Sequence, residues 1–203
     1  ASTRVAEPQG GYAFDDLKLT MGHTSLRGRV ALVPGEPRMR VSANLSGPLV
    51  DLSELPLAQT KSGAANPLLA ADVEADIKFD RVVLRDRRAL GPVSGNARLA
   101  AGAIELKQFT VAVDGASAML DGRIKDPLTP AALELMVNAK VTRGAGLTAF
   151  TGQRLQNLPA FTASGKLTDV PNGYAISGVK LATAATTIAG DVAITRGAKR
   201  FKV

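Results

Sequence analysis

The sequence predicts a mainly β protein: a curved antiparallel β-sheet meander with internal repeats, forming a groove or a flattened sandwich and carrying one or two short helices. Three observations predict it. Apolar and polar residues alternate with period two in run after run. Turn residues separate those runs at intervals of about a dozen residues. A stretch near the start of the chain recurs near its end.

The elements follow in order. Residues 1–11 are short, polar and mixed, and read as a linker ahead of a β segment over 12–203. Tyr12, Phe14, Leu17 and Leu19 form the first strand. Leu26, Gly28, Val30 and Leu32 alternate with Arg27, Arg29 and Ala31, and Met39, Val41, Ala43 and Leu45 with Arg40, Ser42 and Asn44. Residues 46–71 hold Pro48, Pro56 and Pro67 and little alternation. They read as a loop with a helical turn over 51–57, and as the best place for a sub-boundary. Val73, Ala75, Ile77 and Phe79 alternate with Glu74, Asp76 and Lys78. Ile104 to Ile124 is a looser copy of the repeated unit, and Leu133, Leu135, Val137 and Ala139 make a further strand. Residues 144–158 suit a short helix with Leu147, Phe150 and Leu155 on one side. Pro34-Gly35, Asp114-Gly115, Pro171-Asn172-Gly173 and Arg196-Gly197 supply turns.

The repeat is specific. Residues 11–41 align on 173–203 without a gap, and 12 of 31 positions are identical, among them Tyr12/Tyr174, Lys18/Lys180, Leu19/Leu181, Gly28/Gly190 and Val30/Val192. The first copy continues into Ser42, Ala43, Asn44 and Leu45, whereas the second stops at Val203, so the segment reads as truncated at its C-terminus. The apolar alternation slips by one residue at Asp15-Asp16, Asp80-Arg81, Lys107-Gln108 and Ser177-Gly178. One inserted residue would turn every following side chain to the wrong face, and a β-bulge absorbs it while adding twist and bend. A sheet apolar on different faces at different places is the other reading.

Composition narrows function. The chain has 203 residues, 45% hydrophobic and 21% charged, which suits one large folded domain or two small ones. It has no cysteine and one histidine, which excludes disulfides, thiolate metal sites and two-histidine chemistry. Aromatics are 4% and Trp is absent, against a base-stacking platform. Lys and Arg number 25 against 18 Asp and Glu. The cluster Arg85, Arg87 and Arg88 is interrupted by Asp86, and Lys199, Arg200 and Lys202 form a second; with acids interleaved, neither reads as a nucleic-acid surface. Loose attraction to anionic headgroups is more plausible for them, and a solvated polar face is the default. His23 beside Gly22 reads as a turn residue, Asp15-Asp16 as a solvent-facing bulge, and Asp72, Glu74, Asp76 and Asp80 as an acidic solvated stripe. No phosphate loop or helix-loop-helix calcium loop is present. No catalytic set, cofactor or metal site is expected, and the chain reads as a non-enzyme.

The strings Tyr12-Ala-Phe-Asp-Asp-Leu-Lys-Leu, Ser25-Leu-Arg-Gly-Arg-Val, Arg38-Met-Arg-Val-Ser-Ala-Asn-Leu-Ser and Val50-Asp-Leu-Ser-Glu-Leu resemble the AsmA family of bacterial envelope proteins. So do Ala75-Asp-Ile-Lys-Phe-Asp-Arg-Val-Val-Leu, Gly95-Asn-Ala-Arg-Leu, Ile104-Glu-Leu-Lys-Gln-Phe-Thr-Val and Leu120-Asp-Gly-Arg-Ile. The likeness is a degenerate β pattern spanning most of the chain. It implies a long curved sheet with a hydrophobic groove, a periplasmic location under an N-terminal inner-membrane helix, and a part in outer-membrane biogenesis by conducting phospholipid between membranes. No run of 18 or more apolar residues is present, so the anchor helix of the family is missing from this chain.

The expected activity is therefore non-enzymatic. Phospholipid or another acyl-chain lipid would lie on the apolar face, with envelope proteins as further partners. Leu19, Val30, Met39, Val41, Phe79, Val111, Leu135, Leu181 and Ile194 are the candidate groove residues. The alternative is a structural β scaffold or protein-interaction module with a dry core. Aliphatic alternation alone does not separate an open trough from a filled sandwich.

Overall fold

The computed structural model describes residues 2–6, 10–54, 71–126, 131–147, 158–196 and 201–202. The chain is mainly β, as the alternation requires, and divides into two compact units, Ala1–Glu105 and Leu106–Val203.

The first unit holds β1 (Ser2–Ala6), β2 (Tyr12–Met21), β3 (Thr24–Val33), β4 (Met39–Asp51), β5 (Ala71–Phe79), β6 (Val82–Val83), β7 (Ala89–Leu90), β8 (Val93–Ala100) and the start of β9 (Ala103–Val113). Its sheet runs β1-β2-β3-β4-β5-β8-β9, with the β6–β7 ribbon beside the end of β4. The second unit continues with β10 (Ala116–Asp126), β11 (Ala131–Val141), β12 (Phe161–Val170), β13 (Gly173–Thr183), β14 (Thr187–Arg196) and β15 (Phe201–Lys202), paired in chain order. Each sheet is unclosed and curved.

Pairing is antiparallel except in two places. β4 and β5 run parallel from Met39↔Ala71 to Gly47↔Phe79, and Val50↔Val82 extends that direction into β6. A parallel pair needs a long connection, which is what the Pro-rich stretch with little alternation supplies. The expected sub-boundary therefore falls inside the first unit, where Ser46 to Asp51 belong to β4 and Ala71 opens its partner β5, and the division between units falls at 105/106. β4 itself runs through Pro48 to Asp51; a register shift between Ser25 and Arg27 accommodates Gly47-Pro48. Residues 52–54 form a turn, and the rest of the expected helical turn lies outside the described residues. The first residues, expected as linker, form β1: Arg4, Val5 and Ala6 pair with Asp15, Phe14 and Ala13. Main-chain pairing to an open edge needs no apolar alternation of its own, so the sequence pattern is silent on it.

Three of the four slips are bulges. Registers shift between Phe14 and Leu17 and between Ile176 and Val179, and Asp16, Gln108 and Gly178 all take positive φ, at 54°, 48° and 61°. The fourth, Asp80-Arg81, is where β5 ends and the chain turns into β6. The expected helix over 144–158 begins as a 3-10 turn at Gly144–Gly146; residues 148–157, with Phe150 and Leu155, lie outside the described residues.

The repeat is borne out by hydrogen-bond register. Tyr12↔Leu32, Phe14↔Val30, Leu17↔Gly28 and Leu19↔Leu26 recur as Tyr174↔Ile194, Ile176↔Val192, Val179↔Gly190 and Leu181↔Ile188. The bulge falls at the same place in both.

Within each unit, substantial packing among the described residues joins hydrogen-bonded neighbours, so the described strands form a single layer. The buried hydrophobic residues are few. Ala13, Val50, Phe79, Val82, Val93 and Ala103 are buried in the first unit, and Ala116, Leu133, Leu135 and Val141 in the second.

Candidate functional site: a half-exposed apolar face

Residues paired directly across strands share a face of the sheet. In the first unit this rule assembles three apolar rows and two further pairs. Tyr12, Leu32, Val41, Val73 and Leu99 form one, and Phe14, Val30, Ala43, Ala75 and Ala97 the next. Leu17, Gly28, Leu45, Ile77 and Gly95 follow, then Leu19 with Leu26, and Phe79 with Val93. No charged residue interrupts these rows. Most members are half-buried: neighbours shield their flanks, and among the described residues no second layer shields their tips.

The second unit repeats the arrangement. Gly122, Leu135, Leu167, Ile176 and Val192 form one row, and Ala118, Ala139, Ala163, Leu181 and Ile188 another. Asp169, paired with Tyr174 at the end of β12, places a charge among these paired positions.

All nine candidate residues fall on this side. Leu19, Val30, Met39, Val41 and Phe79 are on the apolar face of the first unit, and Leu135, Leu181 and Ile194 on that of the second. Val111 follows Thr110, which opens onto the polar face with Ser117 and Lys140, so alternation turns Val111 to the apolar one. Their exposure differs. Phe79 and Leu135 are buried, whereas Met39 and Ile194 are 42% and 37% exposed. Leu17, Leu45 and Ile77, at the centre of the first unit, belong to the same set, and period-two alternation carried that signal.

The opposite face is polar and largely paired. Arg29 Nε meets Asp15 Oδ1 at 2.8 Å, Arg38 meets Asp72 at 3.4 Å, and Asn96 donates to Asp76 at 3.1 Å. The acidic stripe Asp72, Glu74 and Asp76 is answered by cross-strand partners; Glu74 lies opposite Arg98. The Arg85–Arg88 cluster forms the β6–β7 hairpin turn, where Arg88 donates to Asp86 at 2.7 Å and holds its carboxyl below the usual range. Among the described residues one group could offer ligands to a metal: His23, Asp51 and Glu54. Its acceptors are already engaged. Glu54, which the sequence did not single out, receives the backbone N–H groups of His23 and Thr24 at 2.9 Å, the Thr24 hydroxyl at 2.9 Å and His23 Nδ1 at 2.8 Å. These donors pull its carboxyl down to about 2. Asp51 Oδ1 accepts from the N–H and the hydroxyl of Ser53. The cluster ties the β2–β3 turn to the end of β4.

Among the described residues no helix is long and apolar enough to cross a membrane. Comparison with protein-family models, with curated proteins and with solved structures returns no match for this chain.

Proposed function

We propose that the apolar face binds acyl chains, and that the chain is a non-enzymatic lipid-binding or lipid-conducting segment of an envelope protein. One observation carries this reading: rows of aliphatic side chains, free of charge in the first unit, are left half-exposed on a single-layer sheet. Water contact at that face costs free energy, and each methylene that leaves water contributes about 0.8 kcal/mol. Lipid tails match the lining, which is aliphatic and poor in hydrogen-bonding groups. Headgroups would remain in solvent beyond the strand ends. A surface open along its length captures chains reversibly, which suits transfer better than storage. The resemblance to the AsmA family belongs to the same reading. It makes the periplasm the location, an inner-membrane anchor part of the whole protein, and phospholipid movement during outer-membrane biogenesis the task.

The test is native mass spectrometry of the gently purified chain, with organic extraction of the same sample. Reproducible phospholipid stoichiometry is expected. Leu19→Asp or Val111→Asp should abolish it, while Ser42→Asp, on the opposite face beside Ala31, should not. A folded, lipid-free protein would support the alternative, a structural or protein-interaction module.

A further inference from the structure

Charge on the polar face of the first unit is matched row by row, with one exception. The row Lys18–Arg27–Ser46–Lys78–Ser94 carries three cations and no acid. Lys18 and Arg27 are direct cross-strand partners, and like charges so placed are destabilising. Among the described residues no hydrogen bond or ion pair engages the side chains of Lys18, Arg27 or Lys78. These residues come from β2, β3 and β5, and they wall a depression of about 680 Å³. Ser25 and Ser46 contribute short hydroxyl-bearing side chains to it, and Asp80 contributes the single acid.

We infer that this depression binds a compact phosphate-bearing anion. A clustered triple cation that weakens the free sheet is explained by a ligand that neutralises it. Arg27 offers a planar fork suited to two phosphate oxygens, and Lys18 and Lys78 supply mobile point charges on either side. Ser46 stands between Arg27 and Lys78 in register, so its small side chain leaves room where the three long ones converge. The volume lies within the range of small-molecule sites. A membrane surface would call for a broad exposed basic face, whereas this site is concave. The second unit keeps only part of this row, since Ala189 stands where Arg27 does. Lys180, the repeat equivalent of Lys18, lines a depression of about 400 Å³ in the second unit with Lys140, Thr162 and Ser164. The site faces away from the apolar rows, so it stands independently of the acyl-chain reading. Two sources share this chemistry: a phosphorylated solute and the phosphate of a lipid headgroup.

The full chain is titrated with pyrophosphate by calorimetry at low salt, and separately with phosphatidylcholine vesicles with and without phosphatidylglycerol. Arg27→Gln and the pair Lys18→Gln/Lys78→Gln should weaken binding roughly tenfold or more. Arg123→Gln, a cation on the polar face of the second unit, should leave it unchanged. Thermal melts without anion report folding, and the Arg27→Gln variant is expected to melt no lower than the parent because a like-charge pair is relieved. Pyrophosphate binding that depends on Arg27 supports the site with a solute source. Arg27-dependent binding to phosphatidylglycerol vesicles alone supports it with a headgroup source. No binding to either probe, or binding indifferent to all three cations, overturns it.

Discussion

At the scale of single residues, the carboxylates do most of the specific work. Glu54 gathers donors from His23 and Thr24 across 30 residues of sequence. Its carboxyl titrates at about 2 in the folded chain against an ordinary value of 4.5. The unfolded state therefore takes up a proton first as pH falls. The contribution of Glu54 to stability is complete above pH 4.5 and disappears on descending to about pH 2. Acid titration of Glu54→Gln, followed by circular dichroism, should show a flatter decline through that window than the parent. The bulges use the same device. Asp121 accepts from the Gln108 N–H at 2.7 Å and Asp191 from the Gly178 N–H at 2.8 Å, in each case from the strand opposite the bulge. In the first copy the polarity is reversed: Asp15 sits in the bulge and Arg29 opposite. Asp191→Ala should cost about 1 kcal/mol by urea denaturation. Neither Glu54 nor Asp121 and Asp191 were legible in the sequence, because each acts on backbone N–H groups brought near by pairing, and a carboxylate beside a turn or strand has no pattern of its own.

At the scale of elements, alternation and register decide. The strands, three bulges and the repeat were legible because period two and a one-residue slip are written in the side chains. Three features were not. β1 pairs through its backbone and the parallel direction of β5 leaves no mark in its alternation. The break at Asp80-Arg81 imitates a bulge, since a turn into β6 also displaces the alternation by one. The repeated glycine shows how context separates equivalent positions. At Gly28, with φ at +155°, a Cβ would fall 1.8 Å from the Asn44 carbonyl oxygen on β4. At Gly190 a Cβ meets nothing within 4 Å. Gly28→Ala should therefore lower the melting temperature markedly, by more than about 2 kcal/mol of stability, while Gly190→Ala should be near neutral. Equal effects in thermal melts would overturn the difference in surroundings between the two positions.

At the scale of the whole molecule, an apolar face that no described strand covers has measurable consequences. Unfolding such a sheet exposes less new surface than unfolding a two-layer domain of equal length. The urea m-value should accordingly fall below that of compact proteins of 203 residues. Lipid bound to the apolar rows should raise the melting temperature in proportion to its occupancy, which scanning calorimetry with added phospholipid can measure. The candidate face was legible as a set of positions, and all nine lie on it. That it is left half-exposed follows from how many layers the strands build, which alternation does not encode.

The matching registers at an offset of 162 residues bear on how such a protein changes size. In a rounded globule the interior grows faster than the exterior, so every added segment alters the balance of the rest. In a one-layer sheet each strand meets only its two neighbours, and another copy brings its own share of burial and exposure unchanged. Nothing in the folding energetics then fixes the copy number, and each duplication adds one more apolar face of the same kind.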